Sequence, residues 1–170
     1  MITSTTTPIR ETSTVDPVPA GMNTVTPHLV CAGAAKAIEF YQKAFGAEVL
    51  NRLDTPDGQV MNAGIRIGNS MVMLVDEMPD WNCLGPKSRG GTSVTIHLQV
   101  PDADASFAKA VEAGATPRMP VSEMFWGDRY GMIEDEWGHI WSFGTRVKNL
   151  THDEIAAGAA EAKCGEGCND

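Results

Sequence analysis

His28 and His97 are the residues whose type and setting are best suited to binding. Each sits in an alternating segment, Val25-Thr26-Pro27-His28-Leu29 and Val94-Thr95-Ile96-His97-Leu98-Gln99-Val100, on the polar side of the pattern. Neutral imidazoles suit zinc, iron, nickel or manganese, and two of them from equivalent positions can converge on one divalent ion. The same side chains serve as plain hydrogen-bonding groups on a strand, so the pair alone does not define a metal centre.

A second group lies between residues 125 and 143. It gathers Trp126, Trp137 and Trp141, three of the chain's four tryptophans, with Phe125, Tyr130, Arg129, His139 and four acids. The pattern predicts two strands, 130–133 and 139–143, joined at 135–138, where Gly138 supplies the positive φ of a hairpin. Phe125, Trp126 and Tyr130 can stack a planar ligand, with Trp81 as a lid or a packing plug. Asp128 and Arg129 read as a hairpin ion pair at the pocket rim, Trp141 as core and His139 as structural.

Other chemistry is thin. Cys31 reads as a small buried hydrophobe, and Cys164 with Cys168 as part of a glycine-rich flexible tail whose two sulfurs do not complete a tetrahedral zinc site. No phosphate-binding glycine loop precedes a helix, and Ser142 lacks the glycine pattern of an acyl-transfer nucleophile.

These groups need elements to position them. With 170 residues, 42% of them hydrophobic, the chain can bury one compact core or two small repeats. A net charge of -9 without a basic run argues against nucleic acid and favours cationic ligands. No apolar run is long enough to span a bilayer, and residues 1–19 lack a signal-peptide centre, so a cytoplasmic location is expected.

Residues 1–22 read as a flexible arm. From 23, a strand leads into an amphipathic helix over Ala34–Phe45, with Ala34, Ile38, Tyr41 and Phe45 on one face and Gly46 as stop. Strands follow at 48–53, 60–67 and 71–75, separated by Thr55-Pro56-Asp57-Gly58 and Gly68-Asn69-Ser70. In the second of these, Met61, Ala63, Ile65 and Ile67 share one face and Asn62, Gly64 and Arg66 the other. Residues 78–91 form a linker. The pattern then returns, with a strand around His97 and a helix from Asp102 to Gly114. His28 and His97 lie 69 positions apart, Gly46 and Gly114 68, and Gly68 and Gly138 70, so the chain is two tandem βαβββ modules, 23–77 and 92–148. Residues 149–163 predict a terminal helix with Thr151 and Glu154 as a capping box, whose Ala-rich face suits a partner subunit.

The pieces Ala37-Ile38-Glu39-Phe40-Tyr41-Gln42-Lys43-Ala44-Phe45-Gly46-Ala47, Val100-Pro101-Asp102-Ala103-Asp104-Ala105 and Phe125-Trp126-Gly127-Asp128-Arg129-Tyr130-Gly131, with Gly138-His139-Ile140-Trp141, carry a resemblance. In order and spacing the chain resembles the vicinal oxygen chelate superfamily of glyoxalases, bleomycin-resistance proteins and dioxygenases, and within it the PhnB-like branch. The resemblance implies an α+β fold whose paired modules form a cleft-shaped mixed sheet with helices outside. It also implies a homodimer, a cleft ligand held by Asn62, Arg66, Gln99, Phe125, Trp126, Arg129 and Ser142, and one divalent metal on His28 and His97. Metal-holding members add a carboxylate from the last strand of each module. Those positions fall near Val72 or Met73 and at Ser142, and the branch's His-Ala-Glu is replaced by Asn62-Ala63-Gly64. The expectation is a small-molecule-binding protein of the bleomycin-resistance kind for a planar or cationic ligand. The alternative is a metal-dependent lyase, isomerase or dioxygenase acting on adjacent oxygens, glyoxalase I activity being disfavoured.

Overall fold

The computed structural model describes residues 15–19 and 21–162; Cys164, Cys168 and most of the 1–22 arm lie outside them. Strand β1 (His28–Cys31) is followed by α1 (Ala34–Phe45), β2 (Glu48–Asp54), β3 (Val60–Ile67) and β4 (Ser70–Asp76). They form a four-stranded sheet in the order β1-β4-β3-β2. A connection with a one-turn helix, α2 (Pro86–Arg89), leads to β5 (Thr95–Gln99), α3 (Ala103–Glu112), β6 (Thr116–Glu123), β7 (Asp128–Glu134) and β8 (Ile140–Arg146). These repeat the arrangement as β5-β8-β7-β6. In both sheets the first strand is an edge, parallel to the last strand of its module.

The first strand is shorter than the alternation from residue 23 predicts. Pro27 has no N–H to give a ladder, and only its carbonyl joins, accepting from Met73 N at 2.8 Å. The alternation also does not mark β6, where Pro117 and Pro120 interrupt the pattern; the strand occupies an edge and its pairing carries two register shifts.

Helix α1 buries Ala34, Ala37, Ile38, Tyr41 and Ala44 at spacings of three and four. Its N-cap, Gly33, has no side chain to offer. Asp76 at the end of β4 substitutes, accepting from Gly33 N and Ala34 N at 2.8 Å each and from Val60 N at 2.7 Å. A carboxylate there also meets the positive end of the helix. Helix α3 is capped locally, by Asp102 accepting from Ala105 N at 2.9 Å.

The modules share one core. Tyr41 and Phe45 of α1 reach Trp141 of β8 with ring centroids at 5.3 and 4.7 Å, and Phe45 meets Phe143 at 6.0 Å. Trp141 is fully buried, as expected. Burying a side chain such as Phe143 contributes about 1.5–3 kcal/mol. Asp135, buried in the β7–β8 turn, accepts from Tyr41 Oη at 2.7 Å, Trp141 Nε1 at 2.9 Å, Trp137 N at 3.0 Å and His139 N at 2.9 Å. Four donors on one carboxylate tie the second module's hairpin to the first module's helix. Burial, then the charge of Asp135, raises the Tyr41 hydroxyl well above its usual range, keeping it a donor.

Candidate functional site

Each sheet has a face covered by helices and a face left open. On the second sheet, register places His97, Ser142 and Met132 in one row of the open face, and Gln99, Gly144 and Tyr130 in the next. Because Gly144 has no side chain, the His97 imidazole leans across it; a Cβ there would lie 2.8 Å from His97 Cε1. The ring then stacks on Tyr130, with centroids 6.0 Å apart and planes at 16°. Tyr130 meets Trp126 edge-on at 5.7 Å, and Trp126 meets Phe125 at 5.0 Å. A rail of four rings results. Its outer end is fixed by a tight turn in which Met124 N bonds to Asp128 O, at 2.8 Å. Gly127 is required there: its φ is +89 and a Cβ would sit 2.8 Å from the Lys148 carbonyl oxygen.

The His97 nitrogens are both engaged. Nδ1 lies 2.9 Å from Ser142 Oγ and Nε2 lies 3.2 Å from Gln99 Oε1. Ser142 is 1% exposed, and its buried hydroxyl has the His97 ring as its partner.

On the first sheet, His28 pairs in register with Met73, and Met73 with Gly64. Asn62 and Arg66 share this open face. Gly64 is crossed by its neighbours, since a Cβ there would meet Met71 Cε at 2.5 Å and Asn51 Nδ2 at 3.0 Å. Arg66 is ion-paired with Glu48.

Between the edge strands β1 and β5 lies a cavity of about 1180 Å³. Its walls carry His28, His97 and Gln99 together with apolar Leu29, Phe45, Ile96, Leu98, Trp141 and Phe143. Of the residues expected from sequence, these three are brought together. Trp126 adjoins them through Tyr130, and Ser142 sits beneath His97, but Asn62, Arg66 and Phe125 do not line the cavity. Arg129 is turned away. Its guanidinium grips Asp104 of α3 at 2.5 and 2.6 Å, holding that carboxyl below its usual range, while Asp128 pairs with Arg146. The expected Asp128–Arg129 pair is therefore two separate pairs, because adjacent strand residues point to opposite faces. Trp81 is 74% exposed and lies off the cavity wall, so it forms no lid here. His139 is structural, its Nε2 lying 3.2 Å from Val30 O and 3.7 Å from Cys31 Sγ. Burial, with the charge of Asp135, pushes the Cys31 thiol up and leaves it inert.

The residues do not fit a hard divalent ion. The positions in register with the two histidines are Met73 and Ser142, a thioether and a hydroxyl in place of carboxylates. His97 has no ring nitrogen free without displacing Ser142 or Gln99. Among the described residues no group of three His, Cys, Asp or Glu side chains is placed to hold an ion, and no buried side-chain nitrogen or oxygen lacks a hydrogen-bond partner.

Tyr130 and Gly144 complete the site, although the resemblance implies neither as a ligand residue. In the sequence Tyr130 carries the signal of a groove aromatic. Gly144 carries none of its own: its role exists only because His97 lies across the neighbouring strand.

Comparison with known proteins agrees with this architecture. The model of the Glyoxalase/Bleomycin resistance protein/Dioxygenase superfamily matches residues 21–143. The uncharacterized protein Mb0911c of Mycobacterium bovis is 47% identical over 136 residues, covering 78% of this chain and 90% of that protein. The crystal structure of TioX from Micromonospora sp. ML1 superposes with a TM-score of 0.59 at 25% identity, covering 74% of this chain and 99% of that one. A PhnB protein from Bacillus cereus, described as a putative 3-demethylubiquinone-9 3-methyltransferase, shares the fold with a TM-score of 0.57 at 16% identity, over 72% of this chain and 99% of that one.

Proposed function

The chain belongs to the glyoxalase/bleomycin resistance protein/dioxygenase superfamily, and from that premise we propose that it is a small-molecule-binding protein. It holds a planar organic ligand in the cavity between β1 and β5, without metal chemistry. The observation that carries this reading is the cavity itself: about 1180 Å³, a volume above the usual range for a drug-sized ligand, with apolar walls and a few convergent polar groups. The rail of Tyr130 and Trp126, which meets the cavity wall at His97, offers flat surfaces on which a ring system can lie. Absence of the carboxylates that a divalent ion would need ranks binding above a metal-dependent lyase, isomerase or dioxygenase.

We also infer a homodimer. Strand β2 is exposed along its whole length, and Val49, Leu50 and Leu53 on it are 42%, 47% and 57% exposed. A second copy covering this edge would remove an apolar strand, unpaired on its outer side, from water.

The test is a fluorescence titration with N-phenyl-1-naphthylamine, a neutral apolar probe. Saturable binding of about one probe per chain is expected in wild type, and strongly weakened binding in Val94→Trp, an exposed cavity-wall position where bulk fills the mouth without entering the core. Linear, non-saturating partition in both proteins would end the proposal.

A further inference from the structure

The net charge of -9 suggests a cationic ligand, but the cavity has the opposite character. Not one Asp or Glu lines it, while Arg89, Lys109 and the histidines His28, His97 and His139 do. Resting on the binding-site reading above, we propose that this cavity selects organic anions: an apolar, flat body carrying a carboxylate or similar oxyanion.

Beside the wall residue Gly85, the Glu77 carboxylate accepts from Gly85 N at 2.6 Å and from Ser88 Oγ at 3.0 Å, and other acidic residues of the two modules are likewise engaged. Asp102 caps α3, Asp104 is held by Arg129, Glu134 lies 3.5 Å from Arg118, and Glu123 pairs with Lys148. Asp76 caps α1 and Asp135 carries four donors. The cations on the wall are differently placed. Among the described residues Lys109 has no ion pair and no side-chain hydrogen bond. Arg89 has none with a carboxylate: its Nε and Nη2 donate to the carbonyls of Leu84 and Asn82, at 3.2 and 2.9 Å, which orients the guanidinium and leaves its charge uncompensated. Donors and positive charge face the cavity, and acceptors bearing negative charge do not. Beside them, Phe45, Val94, Ile96 and Leu98 supply an apolar surface that an inorganic anion would leave unused.

The experiment uses three probes of one shape, 1-naphthoate, 1-naphthylmethanol and 1-naphthylmethylammonium, titrated calorimetrically into the full chain and into Lys109→Glu and Arg89→Glu. Both positions are exposed, so folding is preserved, and circular dichroism checks it. The expected result is an order of naphthoate, then alcohol, then ammonium, with about tenfold or more between the charged pair, a ratio that falls or inverts in at least one variant. Equal or tighter binding of the ammonium, or a ratio unmoved in both variants, overturns the anion assignment alone. No binding of any probe overturns the binding-site reading and this inference with it.

Discussion

At the scale of single residues, the site turns on how His97 is held. Gly144→Ala would place a methyl group against the ring at 2.8 Å, driving it off Tyr130 and breaking its bonds to Ser142 and Gln99. The expected outcome is a folded protein with a shifted His97 ring signal in NMR spectra and at least several-fold weaker ligand binding; unchanged binding would detach His97 from the site. Asp135 is a stability residue. Removing it in Asp135→Ala leaves Tyr41 Oη and Trp141 Nε1 unpaired in the core, a loss of about 2–6 kcal/mol in urea unfolding, at about 1–3 kcal/mol for each orphaned donor. His28, His97 and Gln99 are legible in the sequence because alternation places them on a polar face. The pairing of Arg129 is not, because a motif gives a residue's neighbours along the chain, and its partner Asp104 comes from a helix packed on the other side of the sheet.

At the scale of elements, the helices are readable from apolar spacing and glycine stops, but the cap of α1 is not. Asp76 is 43 residues from Gly33 and meets it only through the parallel pairing of β1 with β4. Asp76→Ala is expected to cost about 1–2 kcal/mol, read as a lowered urea midpoint. The final helix, α4 (His152–Glu161), has its cap in sequence, and the capping box at Thr151 and Glu154 is formed as expected. Backbone and hydroxyl donors of Thr151 hold the Glu154 carboxyl below its usual range. A depressed carboxyl contributes its stability above the unfolded-state value and loses it as pH falls through the folded-state value. The protection of α4 amides, measured relative to their intrinsic exchange rates, should therefore fall on acidification through and below the ordinary glutamate range, and Glu154→Gln should blunt that dependence.

At the scale of the whole molecule, the repeat offset is enough to reveal two βαβββ modules, because helix caps and turn glycines recur with the period of the fold. What the repeat does not carry is the inter-module packing. That rests on Tyr41, Phe45, Trp141 and Asp135, and the types of the three aromatic residues among them say only that they are core. Nor does net charge report the cavity: carboxylates concentrated in caps and ion pairs leave a cationic wall inside an acidic protein. The exposed apolar edge of β2 predicts dimerisation, and light scattering should give twice the chain mass, with Leu53→Glu shifting the protein toward monomer; a monomer in wild type removes that part of the account.

The central claim is that an organic ligand sits between β1 and β5 without a divalent metal. An amide-shift titration of isotope-labelled protein with 1-naphthoate, in the presence of a chelator, tests it most directly. The predicted result is saturable shifts concentrated in His28–Cys31 and Thr95–Gln99, extending to Tyr130 and Trp141. Shifts confined to other surfaces, or binding that appears only when zinc or manganese replaces the chelator, would contradict it.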